Sequence, residues 1–256
     1  MTIHYHGTPI TPRVELLRLG GRNFCVSFAH PRDVEACHQI GQSVMLDNGA
    51  FSFWRKSTGV ATYLIIPEEN APRHFNVTEM YNHYAAWCEQ WTSYRTTWCV
   101  IPDIIGVDDP GLCAEYNMQL INAWPKKSIP IWQSAPVWHM HEPIDRLKWF
   151  VDRWPRVCIG SSGRFSTPGS DIWHRRMDTA FNVVSDSAGR VFCQLHMLRG
   201  MKLCQSYYPF SSVDSTDVAQ NHKTTGDIVA HADRWDVVQC KSLWHQKMEQ
   251  HEAVLP

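Results

Sequence analysis

The chain has 256 residues, 44% of them hydrophobic, and a formal net charge of −1. That is enough apolar material for one sizeable core, and the charge excludes a uniformly basic nucleic-acid binder. No apolar run approaches the ~20 residues of a membrane span, which excludes a membrane-spanning helix.

The N-terminus, "MTIHYHGTPITPRVELL", lacks a basic start followed by an apolar core, so no signal peptide is expected. The first strand signal is "NFCVSFA" at 23–29, followed by a helix pattern in "PRDVEACHQI" with Pro31 at its start. "SVML" at 43–46 predicts a second strand. Residues 55–75 carry Gly and Pro without clean periodicity and read as an insertion loop. Helical spacing returns in "VTEMYNHYAAWCEQWTSY", then a strand in "WCVIP" and a helix in "DPGLCAEYNMQLINAW".

"IPIWQ" at 129–133 predicts the next strand and "PIDRLKWFVDRW" its helix. "RVCIG" and "DIWHRRMDTAFNVV" repeat the alternation. "VFCQLH" at 191–196 and "YPFSSV" at 208–213 predict two more strands, and "GDIVAHADRW" opens a last helical region. An eighth strand is expected at "HYHGT" or "WDVVQ". Alternating strands and helices imply a parallel sheet with helical crossovers. Without a Gly-rich loop after the first strand, a dinucleotide-binding fold is disfavoured. The expectation is an α/β fold, an irregular (β/α)8 barrel in one domain spanning 1–256.

In such a barrel the strand ends surround one mouth. The predicted ends deliver Asp47, Asp103, Gln133, Gly160, His196 and Asp214. Each has an ordinary structural explanation taken alone, such as a cap, a turn or a buried hydrogen bond. Their repeated placement argues for a site. Three carboxylates without a metal-ligand cluster suggest glycosyl chemistry, in which one attacks or stabilises an anomeric carbon and another group moves protons. Phe51, Phe53 and Trp54 are candidates to stack a flat ring, or else core residues in a chain with twelve tryptophans.

Nine cysteines are scattered singly with no Cys-x-x-Cys, the pattern of reduced thiols in a cytoplasmic protein. "HYH" at 4–6 and "HMH" at 139–141 are two-ligand fragments, and the tail offers Cys240, His245 and His251. No structural zinc is expected from them. Residues 146–202 hold ten Lys/Arg against four Asp, a local excess of +6 that suits an anionic ligand or simply a solvated surface.

At these residues the sequence resembles the tRNA-guanine transglycosylase superfamily. "LDNGAF" stands where that family has Asp-Ser-Gly-Gly-Phe. Asp103 in "VIPD" and Gln133 resemble its base-reading residues, Gly160-Ser161-Ser162 its Gly-Gly-Leu turn, and Asp214 its nucleophile, although "VDST" departs from the usual Asp-Cys. The resemblance runs from residue 43 to 214. The zinc subdomain of the tRNA enzymes has no counterpart here, so the chain looks most like the shorter DNA-acting branch, found in bacterial modification systems and phages. The resemblance implies an irregular barrel and exchange of guanine in DNA for a 7-deazaguanine, in the cytoplasm of the cell or of a phage host. It implies Asp214 as nucleophile, Asp47 in proton handling, and Asp103, Gln133, Gly160, Ser161, Phe51 and His196 around the base. Arg164, Arg175 and Arg176 would hold phosphates, no organic cofactor is needed, and a helper protein would compensate for the low net charge. Alternatives are a tRNA transglycosylase, a nucleoside hydrolase or deoxyribosyltransferase, and a binding subunit without activity.

Overall fold

The computed structural model describes residues 2–52, 77–200, 203 and 208–237. Nine parallel strands are present: β1 (Ile3–Gly7), β2 (Asn23–Ser27), β3 (Ser43–Asp47), β4 (Thr97–Val100), β5 (Ser134–Ala135), β6 (Val137–His139), β7 (Arg156–Gly160), β8 (Gln194–Met197) and β9 (Ser212–Ser215). Their spatial order is β5-β4-β3-β2-β1-β9-β8-β7-β6. The two ends of this series, β5 and β6, are separated in sequence by Pro136 alone. Pro136 has no N–H for a ladder, but its carbonyl accepts from Cys158 N at 2.9 Å. The chain itself thus links the two edges into a nearly closed barrel.

Helices occupy the connections: α1 (Arg13–Leu17), α2 (Val34–Ile40), α3 (Val77–Trp91), α4 (Pro110–Ala123), α5 (Ile144–Val151), α6 (Asp171–Val184), α7 (Asp217–Thr225) and α8 (Ile228–Val237). Local chemistry sets their starts. Asp109 caps α4 by accepting from Leu112 N at 2.8 Å, with Pro110 at the first helical position. Ser170 accepts from Trp173 N to begin α6.

Alternation along each strand divides the core in two. Tyr5, Cys25, Met45, Trp98, Val100, Ala135, Val137 and Cys158 form a small cluster inside the barrel. Their neighbours, including Phe24, Val26, Leu46, Trp138 and Ile159, join the larger layer beneath the helices. The barrel interior includes several polar groups: the Tyr5 hydroxyl accepts from Trp98 Nε1 at 3.0 Å. The seven described cysteines are unbridged, and six are buried.

The expected alternation is present, and "HYHGT" supplies β1. Three boundaries differ. "IPIWQ" is not a strand: Ile131–Gln133 is a 3-10 turn, and the strand begins at Ser134. Strand β8 starts at Gln194, because Val191 instead bridges Ser185 in an antiparallel pair. "YPFSSV" starts too early: Tyr208 and Phe210 pack on Phe181 of α6, and β9 starts at Ser212. The insertion at 55–75, Phe53, Trp54 and the tail cysteine and histidines lie outside the described residues. Among the described residues no helix is long and apolar enough to cross a membrane.

Candidate active site at the barrel mouth

The C-terminal ends of the strands gather Asp47, Asp103, His139, Gly160 and Asp214, with His196 one layer below. The buried Cys158 thiol senses this gathering. Burial pushes it well up, Arg156 opposes, and the charges of Asp214, Asp103 and Asp47 all push it further.

The segment "LDNGAF" has a specific geometry. Asp47 closes β3, and its Oδ2 accepts from Gly49 N at 3.0 Å. Gly49 has φ +74°, a left-handed backbone that favours glycine. Asn48 Oδ1 accepts from Ala50 N at 2.8 Å, while its Nδ2 donates to Ile101 O at 3.2 Å and to Asp103 Oδ1 at 2.6 Å. The turn therefore aims Asp47 and fastens Asp103 to it. Asp47 is raised to about 6, by burial first and then by the Asp214 charge, against hydrogen bonds from Ser27 and Gly49 N.

Asp214 lies near the end of β9 and has the opposite character. Burial would raise it, but His196 and Arg199 outweigh burial and hold it below the ordinary carboxylate value. His196 Nε2 stands 3.2 Å from Asp214 Oδ1, and Arg199 N donates to the same oxygen at 2.7 Å. Arg199 has φ +56° and is the one non-glycine with positive φ among the described residues. Such a backbone is strained and needs support; the Asp214 contact supplies it. The Arg199 guanidinium also lies 3.3 Å from the centre of the Phe51 ring, joining the loops after β3 and β8 across the mouth.

His139 ends β6, with Nε2 at 3.0 Å from Asp103 Oδ2. The contact is close but off-line, an ion-pair approach and not an aligned hydrogen bond. Burial pulls the imidazole down, yet Asp103 and Glu142 together raise it above its ordinary value. Below it, fully buried Glu142 accepts from His139 N, Arg146 Nε and Asn117 Nδ2 at 3.0–3.3 Å. Gly160 sits beside this imidazole: a Cβ there would meet His139 Nδ1 at 3.4 Å.

Several expected site residues have other duties. Gln133 precedes β5, at the opposite end of the barrel from the mouth. Its buried amide donates to the carbonyls of Thr92, Tyr94 and Thr97 at 2.7–3.0 Å, tying the turn before β4. His196 is fully buried within β8, with Nδ1 2.8 Å from Ser212 Oγ. It supports Asp214 from below and does not line the mouth. The Ser161 hydroxyl accepts from Trp173 Nε1 at 2.9 Å and so anchors α6. Arg176 donates to the carbonyls of Met140 and Glu142 and lies over Trp138 and Phe165, so it clamps the β6 turn and is not free for phosphate. Arg164 and Arg175 are exposed.

His139, Asn48, Ser27 and Arg199 are the additions. His139 sits in "VWHMH", which in sequence reads only as a two-ligand fragment. Asn48 is legible only as a turn former until its partners are known.

The nine parallel strands among the described residues define a nearly closed α/β barrel, with carboxylates and a histidine at the C-terminal ends of its strands. Comparison of the chain with protein-family models, curated proteins and solved structures finds no match.

Proposed function

We propose that the chain is a guanine transglycosylase acting on DNA, which replaces guanine by a 7-deazaguanine through a covalent glycosyl-aspartate. In this reading β5 and β6 count as one strand bent at Pro136, which makes the barrel a (β/α)8 barrel. The observation that carries the reading is the pair of mouth carboxylates pushed apart: Asp214 held ionised, Asp47 at about 6. Two titratable groups tuned in opposite directions are the usual signature of a nucleophile and a proton carrier.

The steps follow from that division. Asp214 Oδ1 takes both the His196 and Arg199 contacts, leaving Oδ2 without a partner among the described residues. Oδ2 attacks C1′, the C1′–N9 bond breaks, and its electron pair leaves with guanine, which takes a proton from Asp47. N9 of the 7-deazaguanine then attacks C1′, returns its proton to Asp47, and expels Asp214. One glycosidic bond replaces another, so no energy source enters. Asp103, with His139 and Asn48 behind it, supplies a polar edge for the base. The target must leave the duplex, at a cost of a few kcal/mol.

The test is incorporation of labelled guanine and labelled 7-deazaguanine into DNA and into tRNA by one preparation. Label in DNA is the expected result. Label in tRNA alone would move the assignment to the tRNA enzyme, and release of free base from nucleosides would indicate a hydrolase. No turnover with any substrate would favour a binding subunit.

A further inference from the structure

The outer face of β1 carries a second polar cluster, away from the mouth. His4 and His6 are two residues apart on one strand and project beneath α8, opposite Tyr5 on the barrel side. Both are buried, at 1% and 0% exposure. Asp236 of α8 reaches them from 230 residues later in the chain, with Oδ1 at 3.1 Å from His6 Nε2 and 3.9 Å from His4 Nδ1. One donor atom from each of the three residues falls within 4.8 Å of the others.

We propose that His4, His6 and Asp236 bind a divalent first-row cation, zinc by first choice, which pins α8 to β1. Three observations support it. Both ring nitrogens of His4 are buried without a hydrogen-bond partner among the described residues, and Nδ1 stands 3.9 Å from Asp236 Oδ1. Leaving buried polar groups unpaired is costly, and neutral imidazole nitrogens are good ligands. The donor spacing is close to what an ion requires: ligands at about 2.0–2.1 Å in tetrahedral array stand about 3.3 Å apart. Small rotations of the side chains close the difference.

The third observation is the surroundings. Arg22 Nη1 bonds Asp236 Oδ2, which orients the carboxylate with both oxygens close to His6 Nε2, at 3.1 and 3.2 Å. Outer partners of this kind commonly fix the ligands of metal sites. Trp235 presents its edge to His4 with ring centres 6.3 Å apart, covering the cluster on the helix side. Two imidazoles and a carboxylate suit zinc, with water completing the shell. The ion lies away from the mouth, behind β1, whose Tyr5 is in register with Asp214 of β9. The donor set uses none of the tail residues Cys240, His245 and His251.

The test uses the full chain, stripped with chelator and titrated with Zn2+ and with Co2+. Expected are about one tightly held ion per chain, a Co2+ visible spectrum of low-symmetry nitrogen–oxygen ligation, and a rise in melting temperature on adding Zn2+. His6→Gln and Asp236→Asn should lose the ion, the Co2+ spectrum and the thermal shift, while His83→Gln, exposed on α3, should keep all three. Asp236→Asn, at a helix end, keeps the test alive where a histidine variant fails to fold. Substoichiometric metal with no Co2+ spectrum in the wild-type chain would overturn the proposal. So would an ion retained by both folded variants.

Discussion

His196 Nε2 lies 3.2 Å from Asp214 Oδ1, and its other ring nitrogen lies 2.8 Å from Ser212 Oγ. The imidazole is thus held on two sides inside the barrel and presents one nitrogen upward. Asp214 receives that contact and the Arg199 N–H on a single oxygen. A carboxylate so held is oriented and favours its ionised form, and its second oxygen has no partner among the described residues.

Asp214→Asn should therefore abolish the proposed base exchange without unfolding the chain, because an amide oxygen still accepts from Arg199 N. Single-turnover assays for covalent nucleic acid–protein adduct check it. An Asn variant that still forms the adduct would exclude Asp214 as nucleophile.

Asp47→Asn should slow exchange by ~10²–10⁴-fold, the usual value of a positioned proton carrier. It should also stabilise the fold. Asp47 is raised in the folded chain to about 6 from an ordinary 3.8. Its favourable contribution is fully present below the ordinary value and lost as pH rises through the folded one. Above that window the carboxylate is a burden of about 1–3 kcal/mol, which Asn removes. Melting temperatures should favour the variant at neutral pH and converge with wild type in acid.

His139 is raised above its ordinary 6.5 by Asp103 and Glu142 acting against burial. Its contribution to stability is present below that value and lost as pH rises through the folded one. His139→Gln should remove this alkaline loss and weaken base binding through Asp103. An NMR titration of the imidazole with a midpoint below 6.5 would contradict the assignment.

Gln133→Ala should cost about 1–3 kcal/mol, since the carbonyls of Thr92 and Thr97, in buried contacts, and of Tyr94 lose their donor. Turnover per folded molecule should not change, because the amide lies at the far end of the barrel. Urea denaturation paired with active-site titration separates the two effects.

Arg164→Glu and Arg175→Glu should weaken DNA binding and flatten its salt dependence, by about one unit of slope for each phosphate that the native arginine neutralises. Arg176→Glu should instead lower the melting temperature, because its guanidinium holds the Met140 and Glu142 carbonyls. Binding isotherms at several salt concentrations, read beside thermal melts, distinguish the three arginines.

Local patterning determined much of this protein. Strand and helix alternation, Pro31, the Asp109–Pro110 start and the Asp-Asn-Gly turn at 47–49 are short-range features, and each reports its own backbone. Because strands in such an alternation run parallel, residues at strand ends share one face, and the gathering of Asp47, Asp103, Gly160 and Asp214 at one mouth was legible from that alone. Tertiary structure decided what depends on long-range partners. Gln133 reads as a strand end until Pro136 is seen to join β5 and β6 and three distant carbonyls are seen to use its amide. His196 and Arg176 carry polar groups like any ligand-binding residue, and only their burial and partners assign them to support. His4 and His6 form a two-ligand fragment in sequence, and Asp236 joins them because α8 folds back over β1. A side chain's chemistry is set by its neighbours' charge and by exclusion of water, and both are properties of the assembled barrel.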